Sequence, residues 1–520
     1  MSELNHLIDS FSNTAAYPGQ PRGVRVIQTQ MSVVFLTDEF VYKIKKPVNL
    51  GYVDYTQLER RKYYCEREVA LNRRLSSAVY LGVVPITANG NQLVLEGTGT
   101  PVEYAVKMRH LPDDRLLDNL LRQNKATDAM MAQVAAKVAD FHRSAETNEE
   151  IAQFGRLEAI TRNIEENFIQ TEKYIGRAIS PEQFTTIRNY ARHFLQENEG
   201  LFAQRVSEGR VRDCHGDLHA QHVCFCQDLY IFDCIEFNER FRYSDTAAEV
   251  AFLTMDLEHS GRADLARSFV DTYIAKSGDN DLTKLLSFYK CYRAYVRGKV
   301  NCFKLDDPYI SEGDRSVALA TAQGYFDLAA AYTRTKPLLI ITMGFAGTGK
   351  TTLALELAGR LGAVYLSSDV TRKNIAGIPL TEHRYREPEE GIYSADFTRR
   401  TYDTLYQEAA KCLAAGYPVI LDAAFLKAHE RAEAQQIATQ AGADFYILEC
   451  FADPNTVKAR LDARQGQTIV SDGHWEIYLK QQEWFERPNT NEPTQVTVDT
   501  SQPLGQNVRQ VLSQITGLGN

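Results

Sequence analysis

The stretch Gly344-Phe345-Ala346-Gly347-Thr348-Gly349-Lys350-Thr351 decides most of what this sequence predicts. It matches the pattern G-x-x-x-x-G-K-[ST], in which glycines let successive backbone N–H groups converge on a phosphate. The apolar run at 338–343 predicts a buried strand, and the run at 352–358 predicts a helix. A strand, a glycine-rich loop and a helix in this order predict a phosphate site at the helix N-terminus. A turn that binds nothing is the alternative.

Within this loop we expect the glycines and the first helical residues to bind the phosphates of a nucleotide. Lys350 reaches the β and γ phosphates in such loops, and the hydroxyl of Thr351 is offered to magnesium. The predicted nucleotide-binding residues are Gly344, Gly347, Gly349, Lys350, Thr351 and Thr352. The sequence therefore predicts ATP and Mg²⁺ as cofactors.

After the loop, short apolar runs alternate with helical segments, which predicts a doubly wound parallel sheet. The expected strands lie at 364–366, 419–422, 445–448 and 495–498. Asp422 ends its strand at the carboxyl edge of the sheet, where ligands bind in open α/β folds. We expect it to hold Mg²⁺ through water, the alternative being a carboxylate that caps the next turn.

Composition sets the broad class. A chain of 520 residues is long enough for two or three domains, and its 44% hydrophobic and 24% charged residues are typical of globular proteins. The net charge of −9 argues against a general attraction to nucleic acid or membranes, although a local basic groove remains open. The sequence shows no export signal and no apolar run of membrane-spanning length, and its nine cysteines form no C-x-x-C pair. We expect a cytoplasmic protein with reduced thiols, no membrane association and no obligate protein partner.

The N-terminal part predicts an antiparallel sheet with a helix at 59–75. The expected strands lie at 24–27, 33–36, 40–45, 92–95 and 103–108. Lys43 on a strand and Glu68 on the helix have the layout that kinases use to fix the α and β phosphates through an ion pair. The alternative is that both side chains are solvated surface residues.

Helical segments at 126–142 and 151–202 lead to His215-Gly216-Asp217-Leu218-His219-Ala220-Gln221-His222 and an expected strand at 229–237. Together with the preceding pattern, this resembles the catalytic loop and metal-binding strand of the aminoglycoside phosphotransferase family, a branch of the protein-kinase-like fold. The resemblance covers about residues 24–330. It implies that Asp217 is the catalytic base for a substrate hydroxyl and that Asp233 holds the metal against the phosphates, with His222 as a candidate metal ligand at a second position.

The sequence departs from that family at two places. His222 stands where the family has a metal-binding asparagine, and an imidazole suits magnesium poorly because that ion prefers oxygen ligands. Residues 28–32, between the first two strands, contain no glycine-rich loop to cover the phosphates. A kinase-like domain without catalytic activity therefore remains open.

The same segment has a competing interpretation as a zinc site. The zinc-ligand residue types lie within twelve residues, at His215, His219, His222, Cys224 and Cys226. The spacing lacks a C-x-x-C pair, and the cysteines suit a strand in which they serve as small apolar residues. Stoichiometric zinc in the purified protein would favour this interpretation over the kinase loop.

From residue 246 to about 331 the pattern is helical, and Arg293, Arg297 and Lys299 are either an anion-binding group or a solvated helix face. The short polar stretch at 332–337 ends in Pro337, and we place the domain boundary there. The expected domains are a kinase-like domain at 1–332 and a P-loop domain at 337–520.

Ser367-Ser368-Asp369-Val370-Thr371-Arg372 predicts a helix N-cap. It also resembles the acceptor site of the small P-loop kinases that include polynucleotide 5′-kinases, zeta toxins, chloramphenicol phosphotransferase and gluconate kinase. That resemblance implies that Asp369 activates the acceptor hydroxyl and Arg372 holds the acceptor. Arg460 and Arg464, four residues apart, resemble the lid helix of the same group, whose cations neutralise charge on the transferred phosphoryl group.

The expected fold class combines α/β and α+β: an N-terminal protein-kinase-like two-lobed domain and a C-terminal doubly wound P-loop NTPase domain. The expected function is an ATP- and Mg²⁺-dependent phosphotransferase, a kinase acting on a hydroxyl of a small molecule or of a nucleic-acid end. The alternative is a nucleotide-gated regulatory protein whose kinase-like domain is not catalytic. A motor-like oligomeric ATPase is disfavoured, because nothing after Pro337 suggests a further helical domain.

Overall fold

The chain forms two compact units. The computed structural model describes residues 3–51, 53–90, 92–307, 310–380, 382, 391–464, 470, 473–488 and 495–516. The first unit comprises Met1–Arg162, Asn198–Leu253 and Ser268–Lys284; the second comprises Asn163–Glu197, Thr254–Arg267 and Leu285–Asn520. This division follows compactness, and the domain boundary at 332–337 stays a prediction.

Helix α1 (Glu3–Phe11) and an antiparallel sheet open the first unit. The strands of that sheet are β1 (Arg25–Gln28), β2 (Ser32–Leu36), β3 (Phe40–Lys45), β4 (Tyr80–Asn89), β5 (Gln92–Leu95) and β6 (Pro101–Arg109), in the spatial order β1-β2-β3-β6-β4-β5. Helix α2 (Leu58–Ser76) packs on the sheet, because its Cys65 and Val69 share an apolar cluster with Val41 and Val106. The predicted antiparallel sheet and its helix are confirmed.

Strand β4 was missed from the sequence because it contains Gly82 and Pro85, residues that weaken a strand pattern. The sheet accommodates both. A register shift lies between Tyr80 and Gly82, and the Pro85 carbonyl accepts a hydrogen bond from the Glu96 N–H at 2.9 Å. The proline therefore takes part in the sheet through its carbonyl, although it lacks a backbone donor.

Helices and short hairpins fill the chain between the two sheets. The helices are α3 (Leu117–Arg122), α4 (Asp128–Ser144), α5 (Glu149–Ala152), α6 (Leu157–Thr171), α7 (Pro181–Glu197), α8 (Glu199–Ser207), α9 (Glu239–Arg242), α10 (Thr246–His259), α11 (Ala263–Ser277), α12 (Leu282–Lys304) and α13 (Glu312–Ala331). The strands are β7 (Val211–Asp213), β8 (Val223–Phe225), β9 (Leu229–Ile231) and β10 (Tyr243–Asp245). β7 pairs with β10, and β8 pairs with β9.

The expected strand at 229–237 is wrong beyond Ile231. Asp233 has a φ of 63°, in the left-handed region that a continuing strand cannot use. The backbone leaves the β8–β9 ladder at this point, and the Phe232 and Ile235 N–H groups donate instead to the carbonyls of His222 and His215. The turn brings Asp233 back toward the loop that carries Asp217.

A five-stranded parallel sheet forms the core of the second unit. Its strands are β11 (Leu338–Met343), β12 (Val364–Ser367), β13 (Val419–Asp422), β14 (Asp444–Phe451) and β15 (Gln495–Asp499), in the order β12-β13-β11-β14-β15. Its helices are α14 (Lys350–Leu361), α15 (Ser368–Ala376), α16 (Ala395–Ala414), α17 (Ala428–Gln440), α18 (Pro454–Ala463), α19 (Trp475–Trp484) and α20 (Leu504–Thr516).

Strand β11 is buried on both faces, as the centre of a doubly wound sheet must be. Leu338 and Ile340 belong to one apolar cluster, whereas Leu339 and Ile341 belong to another. Successive side chains of a strand point to opposite faces, so helices cover the sheet on both sides. The doubly wound parallel sheet expected after the phosphate loop is therefore confirmed, and the chain as a whole has the expected α/β and α+β fold class. Among the described helices, none is both long and apolar enough to cross a bilayer.

Helices that precede Pro337 in the chain share the core of the second unit. Ala331 joins the apolar cluster on one face of the parallel sheet, and Ala263 joins the cluster on the other. Glu258 is fully buried, with Lys290 Nζ 2.8 Å from its Oε1 and the Tyr332 hydroxyl also in contact. A charge this deeply buried is tolerated because the ammonium and the hydroxyl replace its water.

The contact between α14 and α10 leaves no room for a side chain at Gly359. A Cβ atom there would lie 2.7 Å from the His259 carbonyl oxygen. Glycine in a helix is normally less stable than alanine, but here we expect Gly359→Ala to lower the free energy of unfolding by about 1 to 3 kcal/mol. Thermal or urea unfolding measures the change.

The matched control is Gly313→Ala in α13, where the nearest atom to an added Cβ is 3.9 Å away. This variant should leave stability unchanged or raise it by up to about 1 kcal/mol. If both glycine variants were equally stable, the close packing of α14 on α10 would be contradicted.

Candidate active sites

In the first unit, two lysines of β3 and three acidic residues form a charged network, in which Lys45, Glu68 and Glu236 are buried. Lys43 Nζ lies 2.9 Å from Glu68 Oε1 and 2.8 Å from Asp233 Oδ1. Lys45 Nζ lies 2.8 Å from Glu68 Oε2 and also contacts Glu236. The two lysines share a face of β3 because they are two residues apart. The structure thus brings Lys43, Glu68 and Asp233 together, and their role in binding phosphate stays a prediction.

The network keeps its members charged. Burial by itself lowers the pKa of Lys43, but Asp233 and Glu68 outweigh it and hold that pKa well above its ordinary value. Burial likewise raises the pKa of Glu68, yet Lys43 and Lys45 bring it below the ordinary value. Each charge is stable only because its partners are present, so the lysine side chains are held in one arrangement.

Sequence reasoning missed Lys45 and Glu236. Both are buried, and the Tyr55 hydroxyl donates to Glu236 at 3.1 Å. The available signal was a second lysine on the same face of an apolar strand, because charged residues are rarely buried without a partner. The partner itself lies about 190 residues along the chain, beyond the reach of any local pattern.

The backbone of the His215-Gly216-Asp217 loop is fixed by Glu249 of α10. Its carboxylate accepts the His215 N–H at 2.8 Å and the Gly216 N–H at 2.6 Å, and His142 Nε2 donates to it at 2.8 Å. Gly216 has a φ of 87°, and a Cβ atom there would lie 2.9 Å from the Phe241 carbonyl oxygen. Glu249 was also missed, although an acidic residue inside the apolar run at 247–251 was a signal.

Asp217 and Asp233 are both close to His222. Asp217 Oδ2 lies 3.6 Å from His222 Nδ1 and 3.4 Å from His219 Nε2, and His222 Nε2 lies 3.5 Å from Asp233 Oδ2. Burial, and then the neighbouring His219, lower the pKa of His222 to about 4, so its imidazole is neutral near pH 7. The structure brings the predicted base and the predicted metal residues together, and their roles stay predictions.

The turn between β1 and β2 contains no glycine, as the sequence indicated. The Thr29 N–H donates to the Ser32 carbonyl at 2.9 Å, and the Ser32 N–H donates to Thr29 Oγ1 at 2.9 Å. Each of these two N–H groups thus donates to an oxygen atom of the other residue. They are therefore not available to phosphate in this conformation, unlike the backbone of a glycine-rich loop.

In the second unit, the glycines of the predicted phosphate loop adopt backbone angles that other residues avoid. Gly344, Gly347 and Gly349 have φ values of 142°, 78° and 84°. A Cβ atom at Gly344 would lie 2.4 Å from the Cys450 carbonyl oxygen, and one at Gly347 would lie 2.9 Å from Leu461. The loop therefore requires glycine for both its curvature and its packing.

The carboxylate of Asp422 accepts hydrogen bonds from three hydroxyl groups at the carboxyl edge of the parallel sheet. Its Oδ2 accepts from Thr351 Oγ1 at 2.6 Å and from the Tyr365 hydroxyl at 2.7 Å, and its Oδ1 accepts from Thr342 Oγ1 at 3.1 Å. The two predicted metal residues, Thr351 and Asp422, are thus in direct contact. Their donor atoms are all oxygens, which fits Mg²⁺. Tyr365 was missed from the sequence.

Lys350 at the start of α14 lies among the other predicted residues of this site. Its Nζ donates to the Phe345 carbonyl at 2.7 Å. Burial lowers the pKa of Lys350, the carboxylates of Asp422 and Asp369 oppose that shift, and the cation of Arg464 adds to it. The structure therefore brings Asp369 and Arg464 within electrostatic reach of Lys350. Thr352 follows in the first turn of α14.

Arg460 of α18 is tied to the phosphate loop through Thr500. Its guanidinium donates to Thr500 Oγ1 at 3.1 Å and to the Thr500 carbonyl at 2.7 Å, and Thr500 Oγ1 donates to the Thr348 carbonyl at 2.6 Å. The predicted lid helix is thus anchored beside the loop that its cations are expected to serve. Thr500 was missed, because nothing near it in the sequence indicates this contact.

Arg372 of α15 is buried and points toward the segment at 391–398. It donates to the Ile392 carbonyl at 2.5 Å and to Thr398 Oγ1 at 3.1 Å, and it lies over the Tyr393 ring at 4.9 Å. The N-cap interpretation also has a contact, because Ser367 Oγ accepts from the Val370 N–H at 3.5 Å. Arg372 as a binder of the acceptor stays a prediction.

The three cations of α12 do not form a solvated face. Arg293 is buried, Arg297 lies over the Tyr325 ring at 5.5 Å, and Lys299 Nζ donates to the side chains of Asn167 and Gln170. These contacts give the three side chains packing roles in the second unit, where long cationic side chains often cover apolar surface.

Comparison with known proteins gives one family model and one group of long relatives. A family model described as an AAA domain matches residues 339–488. An uncharacterized protein of Mycobacterium tuberculosis is 30% identical over 445 residues, which cover 85% of this chain and 86% of that protein. The relative therefore shares both the kinase-like part and the P-loop part of the sequence.

Solved structures match one part of the chain at a time. A gluconokinase from Sinorhizobium meliloti 1021 is 24% identical, covers 36% of this chain and 95% of its own, and has a TM-score of 0.26. A choline/ethanolamine kinase family protein from Mesorhizobium loti is 11% identical, covers 63% and 99%, and has a TM-score of 0.37.

The Glu249 contacts predict a specific dependence of stability on pH. Burial by itself raises the pKa of Glu249, but the hydrogen bond and charge of His142 outweigh it and lower that pKa from 4.5 to about 2. A lowered carboxyl pKa stabilises the fold above pH 4.5, and this stabilisation is lost as the pH falls toward 2. We expect Glu249→Gln to be less stable than the wild type by about 2 kcal/mol at pH 7, with the difference shrinking below pH 4.5.

Chemical unfolding of both proteins across this pH range measures the difference. Glu66→Gln, at an exposed carboxylate of α2, is the control and should follow the wild-type curve. A Glu249→Gln deficit of the same size at every pH would contradict the assignment of a charged Glu249.

Proposed function

The chain belongs to the family of the Mycobacterium tuberculosis relative, and we propose that it is an ATP- and Mg²⁺-dependent phosphotransferase whose second unit transfers a γ-phosphoryl group to a hydroxyl. The observation that carries the proposal is the contact of 2.6 Å between Thr351 Oγ1 and Asp422 Oδ2, beside the half-buried Lys350. A hydroxyl and a carboxylate oxygen are the donors that position Mg²⁺ against phosphates, and lysine is the matching point charge.

The residues of the second unit suffice for phosphoryl transfer, because that reaction needs positioning and charge neutralisation more than covalent chemistry. When bound, Mg²⁺ supplies charge neutralisation between the β and γ phosphates. Lys350 and the loop N–H groups bind the phosphates, while Arg460 and Arg464 offset the charge on the transferred group. Asp369 takes up the proton of the acceptor hydroxyl, and Arg372 holds the acceptor.

The acceptor is a hydroxyl compound. A small molecule is our first proposal and a nucleic-acid end our second. The net charge of −9 gives the chain no general attraction to a polyanion, which favours the small molecule. The cytoplasmic location and the absence of an obligate protein partner stay predictions of the sequence.

The first unit supports a second candidate function. In this alternative the protein is a nucleotide-gated regulatory protein, and its kinase-like first unit does not transfer a phosphoryl group. Two observations favour it. In the turn at 29–32, the Ser32 N–H donates to Thr29 Oγ1 and is not available to a phosphate. The imidazole of His222 lies beside Asp233 and offers nitrogen, whereas Mg²⁺ prefers oxygen ligands. In this arrangement Lys43, Glu68 and Asp217 bind and orient groups in the first unit, while chemistry takes place in the second.

Replacing Lys350 tests the transfer. We expect Lys350→Ala to lower the transfer of labelled γ-phosphate to an acceptor pool of metabolites or nucleic-acid ends by at least about a hundredfold, because the phosphates lose the cation that binds them. Lys411→Ala, at an exposed lysine of α16, is the control and should keep wild-type transfer.

Asp217→Ala separates the two candidate roles of the first unit. Unchanged transfer in Asp217→Ala assigns the chemistry to the second unit, whereas loss of transfer assigns a catalytic role to the first. Wild-type transfer in Lys350→Ala would overturn the proposed function. If the wild type released the label from ATP only as free phosphate, the result would favour the regulatory alternative.

A further inference from the structure

We propose that Asp217, His219 and His222 form a binding site for a divalent transition-metal ion of the Zn²⁺ type in the first unit. The inference goes beyond the proposed phosphoryl transfer and does not depend on it. It assigns to the loop after His215-Gly216 a metal chemistry different from that of the Thr351–Asp422 pair.

The ligand atoms of the three residues all lie within 4.8 Å of one another. Asp217 Oδ2 is 3.4 Å from His219 Nε2. Zinc bonds to nitrogen and carboxylate oxygen are about 2.1 Å long, which places neighbouring ligands of a tetrahedral ion about 3.4 Å apart. The separation between Asp217 and His219 therefore matches a shared ion, and the ligand atom of His222 lies within 4.8 Å of both.

The donor set distinguishes this ion from Mg²⁺. Two imidazoles and one carboxylate are typical ligands of Zn²⁺ and of other transition-metal ions, whereas Mg²⁺ binds through oxygen. Asp233 Oδ2 lies 3.5 Å from His222 Nε2, next to this group.

The surrounding contacts hold the ligands in position. His222 Nδ1 lies 2.9 Å from the Asp217 carbonyl oxygen, so a hydrogen on Nδ1 orients the ring and leaves the lone pair on Nε2. The Asp217 N–H donates to His215 Nδ1 at 3.3 Å, and His215 Nε2 contacts the Phe232 carbonyl. His215 is therefore engaged in fixing the loop rather than in the group of ligands.

The cysteines of the same segment stay outside the group. Cys224 and Cys226 place their sulfur atoms 3.4 Å from each other, and Cys224 belongs to strand β8. Among the described residues, the ligand group around Asp217 contains neither of them. The site thus differs from the Cys-containing zinc site that the residue types alone suggested.

Metal binding also changes the part that Asp217 plays. A carboxylate oxygen that coordinates a metal ion is not free to accept a proton from a substrate hydroxyl. A bound ion of this type would make the first unit a metal-binding unit at the position where the family resemblance predicts a catalytic base. This agrees with the regulatory candidate for that unit.

Cobalt binding to the full chain tests the site. The metal-stripped protein is titrated with Co²⁺, which replaces Zn²⁺ and shows visible absorption in a tetrahedral site, and zinc retained after dialysis against excess Mg²⁺ is measured by mass spectrometry. We expect one retained zinc per chain. His219→Asn and His222→Asn should each weaken Co²⁺ binding by at least about tenfold.

Two controls define the result. His193→Asn changes an exposed histidine and should keep the Co²⁺ absorption, as should Asp422→Asn at the other metal site. Because His219 is buried, circular dichroism verifies folding of each variant, and if His219→Asn fails to fold, His222→Asn alone decides.

The inference is overturned if the folded wild type shows no tetrahedral absorption, or if the absorption survives in the folded histidine variants. It is also overturned if Asp422→Asn abolishes the absorption, which would place the ion at the phosphate loop. Transfer of γ-phosphate is measured separately through Lys350→Ala, so failure of the metal site leaves the proposed function intact.

Discussion

The carboxylate of Asp422 is the contact on which the site of the second unit depends. It joins four elements, because Thr342 belongs to β11, Tyr365 to β12 and Thr351 to α14, while Asp422 itself ends β13. Parallel pairing places Asp422 beside Ser367 and brings these strand ends to one edge of the sheet. Three hydroxyl donors replace the water that a buried carboxylate loses. The charge is therefore stable only while the sheet register and the phosphate loop are both in place.

The first unit uses buried carboxylates in the same physical way. Glu249 accepts backbone N–H groups and fixes a loop, whereas Glu68 accepts two ammonium groups and fixes two side chains on β3. Removing either carboxylate leaves donors in the interior without a partner, which costs more than the bond itself contributes. Both units thus hold their functional groups by desolvated charges rather than by apolar packing alone.

Local motifs predicted much of the fold and part of the sites. The phosphate loop was recognised because glycine, lysine and threonine occur at fixed spacing between a strand and a helix. The layout of Lys43 and Glu68 was recognised from element order. Sequence reasoning missed strand β4 because Gly82 and Pro85 interrupt its strand pattern. It made the strand at 229–237 too long because the left-handed conformation of Asp233 cannot be recognised from an apolar sequence pattern. Sequence reasoning missed Glu236, Glu249 and Thr500. The pattern of neighbouring residues indicates whether a side chain is buried, but it does not identify a contact partner far away in the sequence.

The shared core of the second unit has a consequence for how the protein is synthesised. Ala331 and Ala263 leave the ribosome before the strands of the parallel sheet against which they pack. Until β11 and β13 have emerged, the buried pair of Glu258 and Lys290 lacks its finished surroundings, and apolar helix surface stays exposed on the nascent chain. The order of translation therefore leaves these helices without their packing partners until the strands have emerged, and during this period a chaperone has a surface to bind.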